Sequence, residues 1–121
     1  MSIKSILLVE DEYLIGINIY TTLSDAGYEV IGPAMNVQSA MQLIDKNNFD
    51  AAVLDVNLGG EFSTTIAARL SRLRIPYLLL SGYTREDLPD EVIDVPLVEK
   101  PFDDYILLET LSDFWVDNKI P

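Results

Sequence analysis

Four short apolar runs in this chain each lead into a residue able to do chemistry. Ile6-Leu7-Leu8-Val9 runs into Glu10-Asp11, and Ala51-Ala52-Val53-Leu54 into Asp55. Tyr77-Leu78-Leu79-Leu80 runs into Ser81, and Pro96-Leu97-Val98 passes through Glu99 to Lys100-Pro101-Phe102. Runs this short, near-continuous and separated by helix-like stretches, predict strands buried on both faces of a parallel sheet. Open α/β sheets gather their ligand site at the carboxyl ends of the strands. Three acids, a hydroxyl and a lysine are therefore expected along one edge, a set suited to a divalent cation and a phosphoryl group.

The intervening segments support that order. Leu14, Ile15, Ile19 and Leu23 form a helical stripe over 11–26, which Gly27 ends as a C-cap glycine. Tyr28–Ile31 reads as a second strand closed by Gly32-Pro33. Asn36 is expected to cap a helix with Val37, Ala40, Met41 and Ile44 inward, and Asn47-Asn48 to end it. Gly59-Gly60 breaks the chain before a helix carrying Ile66, Ala67 and Leu70. The stretch 84–95 holds Pro89 and few apolar residues, so a helix there is short or irregular. Asp103 caps a last helix with Leu107, Leu108, Leu111, Phe114 and Trp115. The expected fold class is α/β: a doubly wound (βα)5 unit with a parallel five-stranded sheet, as one domain over 1–121.

Composition narrows the chemistry. Eight basic against twenty acidic residues leave a net charge of −12. That disfavours a nucleic acid or an anionic membrane surface as partner, since both are bound by basic faces. No apolar stretch approaches the ~20 residues that span a bilayer, and no signal peptide is visible, so the expected localisation is cytoplasmic. With no cysteine and no histidine, disulfides, thiolate or imidazole metal sites and a histidine base are excluded. Carboxylates, hydroxyls, amides and lysine remain.

These residues in this order resemble the receiver domains of two-component response regulators, along the whole chain. The family carries an acidic pair after strand 1, a phosphoacceptor Asp after strand 3, a Ser or Thr after strand 4 and Lys-Pro after strand 5. Here those are Glu10-Asp11, Asp55, Ser81 and Lys100-Pro101. Each element alone is weak, since a single Asp at a strand end is usually a turn residue; together they are specific. The resemblance implies a flavodoxin-like sheet of order 2-1-3-4-5. It also implies that Asp55 is a nucleophile forming an acyl phosphate, and that Mg2+ (or Mn2+) is held by Glu10, Asp11, Asp55 and the backbone carbonyl of Asn57. Lys100 would face the phosphoryl oxygens, and a cis bond before Pro101 would aim it inward. Such a domain assists its own phosphorylation and dephosphorylation without being an enzyme in the usual sense.

The family's partners would be a sensor histidine kinase or histidine phosphotransfer protein, docking on the first helix near Ile17, and an output protein reading strands 4 and 5 and the last helix. Trp115 falls either on that surface or in the core. A monomer or weak dimer is expected. Few residues follow Asn118, so output by protein contact is expected; a receiver excised from a larger regulator or hybrid kinase is the alternative.

Two departures stand out. The family's aromatic switch position, three residues before the lysine, is Leu97; the nearest substitute ring is Tyr83, in a Ser81-Gly82-Tyr83 run similar to that of stand-alone receivers. Asn57, two residues beyond Asp55, either orients an attacking water or is simply a turn residue. Three rivals are weaker. A haloacid-dehalogenase-type phosphatase wants Asp where Asn57 stands. A nucleotide or flavin binder wants a glycine-rich loop after strand 1. A degenerate scaffold would not keep all the site residues.

Overall fold

The computed structural model describes residues 3–82, 85–92 and 94–115. Its main sheet has five parallel strands, β1 (Ser5–Val9), β2 (Glu29–Ala34), β3 (Ala51–Asp55), β6 (Tyr77–Ser81) and β7 (Leu97–Glu99), ordered β2-β1-β3-β6-β7. This is the expected 2-1-3-4-5 arrangement, with β6 and β7 as the fourth and fifth major strands. The intervening numbers belong to a two-stranded antiparallel hairpin, β4 (Asn57–Leu58) and β5 (Glu61–Phe62), which the sequence reading did not anticipate.

The helices are α1 (Tyr13–Asp25), α2 (Val37–Lys46), α3 (Thr64–Arg72) and α4 (Asp104–Ser112). Two of the expected caps form: the side chain of Asn36 accepts from Ser39 N at 2.8 Å, and that of Asp103 from Ile106 N at 2.9 Å. Where a short or irregular fourth helix was expected, two 3-10 turns stand, Arg85–Asp87 and Asp90–Val92. Leu88 and Val92 are the buried apolar anchors of this stretch.

Alternating strand side chains feed two cores, as strands buried on both faces require. Leu7, Val9, Ala52, Leu54 and Leu79 pack with α2, α3 and the 3-10 turns. Ile6, Leu8, Val53, Leu78, Leu80 and Val98 pack with α1 and α4. Trp115 lies at the amino-terminal edge of the sheet. Its Nε1 donates to Tyr28 Oη at 3.0 Å, and Lys4 Nζ sits 4.9 Å from its ring centre. That is the edge away from the expected site; there Trp115 is half-buried and packs against the core under α1 and α4.

β2 also departs from expectation, continuing through Gly32-Pro33 to Ala34 instead of ending there. Gly32 has φ of +116°, and a Cβ built on it would lie 2.5 Å from the Leu8 carbonyl oxygen. Both the dihedral and the close approach of β1 require glycine. Gly32→Ala is expected to destabilise the fold by about 3 kcal/mol, read as a lowered midpoint in urea denaturation. Among the described residues no helix is long and apolar enough to cross a membrane.

Candidate functional site

Glu10, Asp11, Asp55, Ser81 and Lys100 stand at the carboxyl edge of the sheet. Glu10 follows β1, and its N–H donates to the Ala34 carbonyl at 2.9 Å, which turns its side chain into a fully buried position. Asp55 is the last residue of β3 and is 5% exposed. Lys100 follows β7; its N–H donates to the Ser81 carbonyl at 2.8 Å, and the Lys100–Pro101 bond is cis.

The lysine joins the acids. Lys100 Nζ lies 3.3 Å from Asp55 Oδ2, 3.2 Å from Glu10 Oε1 and 3.9 Å from Glu12 Oε1. Only the first of these short contacts has hydrogen-bond geometry, leaving Glu10 Oε1 buried with no hydrogen-bond donor. Glu10, Asp11 and Asp55 each offer an oxygen, all within 4.8 Å of one another. Burial, and then the neighbouring Glu10 and Asp11 carboxyls, push Asp55 up to about 8 against the opposing pull of Lys100. Burial acts to lower the Lys100 ammonium, but the charges of Asp55 and Glu10 outweigh it and raise the group overall.

A buried oxygen without a donor and a carboxylate driven toward its neutral form both describe a site short of positive charge. Hard oxygen ligands and that deficit fit a divalent cation such as Mg2+. Above the cluster opens a cavity of about 360 Å3, lined by Asp11, Glu12, Asp55, Asn57, Gly59, Gly60, Gly82 and Lys100.

The remaining expected residues have separate placements. Ser81 is 1% exposed at the end of β6, immediately before Gly82 of the cavity. Leu97 is half-buried on β7 opposite Leu79 and packs toward the α2–α3 face. Tyr83 lies outside the described residues. Asn57 N–H donates to Asp55 Oδ1 at 3.3 Å, while its side-chain oxygen accepts from Gly60 N at 2.7 Å. Of the two readings of Asn57, this geometry supports the turn residue.

Sequence reasoning missed Glu12, whose N–H donates to Glu10 Oε2 at 3.2 Å and whose Oε1 lies 3.9 Å from Lys100 Nζ, and it missed the Gly59 N–H, which donates to Asp11 Oδ2 at 2.9 Å. The signal was present: Asn57-Leu58-Gly59-Gly60-Glu61-Phe62 is a glycine pair between two potential strand pairs, a hairpin pattern.

The chain also resembles known proteins. The family model described as the response regulator receiver domain matches residues 6–112. The transcriptional regulatory protein PdtaR of Mycobacterium tuberculosis is 28% identical over 103 residues, covering 82% of this chain and 50% of that protein. The chain thus spans about half the length of the curated relatives it matches. Among solved structures, SdrG from Sphingomonas melonis is 33% identical with a TM-score of 0.83, covering 96% of this chain and all of the other. The chemotaxis response regulator CheY4 of Vibrio cholerae is 28% identical with a TM-score of 0.81, covering 93% of this chain and 98% of the other.

Proposed function

Since this chain belongs to the response regulator receiver domains, the phosphorylation-dependent switches of two-component systems, we propose that Asp55 is its phosphoacceptor. The observation that carries the reading is the position of the Asp55 carboxylate, buried beside the Lys100 ammonium and two further carboxyls at the mouth of an open cavity.

In the proposed reaction an Asp55 oxygen attacks the phosphorus of a phosphohistidine on a sensor kinase or phosphotransfer protein. The new O–P bond forms as the N–P bond breaks, and the released electron pair returns to the imidazole nitrogen. Lys100 offsets charge on the phosphoryl oxygens as a point cation. Glu10, Asp11, Asp55 and the Asn57 carbonyl are the proposed ligands of Mg2+, which when bound neutralises the crowded carboxylates and the transferring group.

Ser81 is the proposed reader: its hydroxyl donates to a phosphoryl oxygen and draws in the loop that begins at Gly82. Its carbonyl already accepts from Lys100 N, so a shift of Ser81 bears directly on the end of β7. Leu97 has no ring to swing, and Tyr83 is the proposed substitute. The output surface comprises β6, β7 and α4, where Tyr105 is 69% exposed. Kinase docking is assigned to α1, where Leu14 and Ile17 are exposed. The whole event biases a two-state equilibrium already present in the protein.

Incubation with acetyl phosphate and Mg2+ is expected to add one phosphoryl group by intact mass, and none without Mg2+ or in Asp55→Asn. An adduct that persists in that variant would refute the assignment. Mass is the better readout, because Trp115 packs at the opposite edge of the sheet.

A further inference from the structure

The β4–β5 hairpin reaches the acidic cluster through backbone donors, Asn57 N–H to Asp55 and Gly59 N–H to Asp11. Gly59 N–H holds Asp11 Oδ2 at 2.9 Å, and the next N–H, of Gly60, is held at 2.7 Å by the Asn57 side-chain oxygen. The hairpin is well rooted. Leu58 is buried, Ser63 N–H donates to the Val56 carbonyl at 2.8 Å, and Val56 N–H to the Leu80 carbonyl at 3.0 Å. Its turn is thereby fixed relative to β3, which carries Asp55.

Gly59 has φ of +64° and Gly60 of +90°. A Cβ on either would meet nothing within 4 Å, so room is not what calls for glycine here. The backbone conformation does, and it is that conformation which directs the Gly59 N–H at Asp11. A carboxylate that binds a metal through one oxygen is commonly oriented by a hydrogen bond to the other, and loss of such outer partners weakens metal binding.

We propose that the Gly59-Gly60 hairpin is an outer coordination shell: Gly59 N–H positions Asp11 for a divalent cation, and the Asn57 side chain locks the turn that aims it. Asn57 is then a positioning residue whose amide serves the hairpin. This inference rests on the divalent-cation site proposed above.

Calorimetric titration of the metal-free protein with MgCl2 tests it. Gly59→Val, whose β-branched side chain disfavours positive φ, is expected to weaken Mg2+ binding about 10-fold or more. Asn57→Ala is expected to weaken it several-fold. Gly59→Asn should stay within about 2-fold of wild type, because asparagine tolerates the left-handed conformation. The metal-free melting temperature should remain close to wild type in Gly59→Asn and fall modestly in Gly59→Val, whose positive φ is strained although its Cβ position is open, and in Asn57→Ala, which loses the Gly60 N–H acceptor. In the metal-free wild type, exchange of the Gly59 amide should be slow, and Asp11→Ala should accelerate it. This measurement and Asn57→Ala decide the matter if Gly59→Val fails to fold. Wild-type Mg2+ affinity in both Gly59→Val and Asn57→Ala would overturn the inference while leaving the site standing. A wild type that binds no Mg2+ would overturn the site itself and this inference with it.

Discussion

Metal-free Asp55→Asn is expected to melt about 5 °C or more above wild type at pH 7.5 and to lose that advantage near pH 4. The cause is the crowding of carboxyls at the strand ends. Burial and the Glu10 and Asp11 carboxyls raise Asp55 from 3.8 to about 8 in the folded protein. Between those values the folded state holds a proton that the unfolded chain has released. Folding stability from this group is therefore fully present below about pH 4 and is lost as pH rises toward 8. Asparagine keeps the shape and removes the titration, so its melting temperature should vary less over this range. Saturating Mg2+ should reverse the order by giving the ionised carboxylate a partner, stabilising wild type through binding linkage. Calorimetric melts at pH 4, 6 and 7.5, with and without Mg2+, read all of this. A wild type whose metal-free stability rises steadily from pH 4 to 8 relative to Asp55→Asn would show that the carboxyls do not oppose one another.

The second large effect is expected at Lys100. Its ammonium lies 3.2 Å from Glu10 Oε1, in a side chain that is fully buried and whose Oε1 has no hydrogen-bond donor among the described residues. Lys100→Met keeps most of the side-chain volume and leaves Glu10 with no countercharge at that contact. Removing one partner of a buried ion pair costs up to about 3–5 kcal/mol; with Lys100 still 19% exposed, about 2–3 kcal/mol is expected here. Denaturation midpoints of Lys100→Met, Glu10→Gln and the double variant form a cycle. Recovery of most of the loss in the double variant is expected, because the penalty lies in the stranded carboxylate. A double variant as unstable as the sum of the two single changes would place the cost in lost packing instead.

Much of the site was legible because its chemistry sits at fixed points of a periodic pattern. An apolar run long enough for one strand must end at the sheet edge, so the residue that follows each run is placed by chain geometry alone. Glu10, Asp55 and Lys100 could be assembled that way, as could the caps at Asn36 and Asp103. Where local signals misled, tertiary contacts had overridden them. Gly32-Pro33 reads as a strand end, yet β2 continues because β1 supplies its hydrogen-bonding neighbour. Gly59-Gly60 reads as a break, yet it is the turn of a hairpin whose two-residue strands are anchored by the burial of Leu58 in the core.

The amino-acid order by itself determined the doubly wound α/β class expected of right-handed crossovers and the meeting of three carboxyls with one lysine. Those follow from periodicity and connectivity, which are local or topological properties. Only the tertiary structure decided how the charges share their space: that Glu10 is wholly buried with one oxygen lacking a donor, that Asp55 is pushed toward its neutral form, and that Asp11 is held by a backbone amide from a hairpin 48 residues along the chain. Desolvation and hydrogen-bond direction depend on distances of a few tenths of an ångström between segments remote in sequence, and no pattern of residue types encodes them.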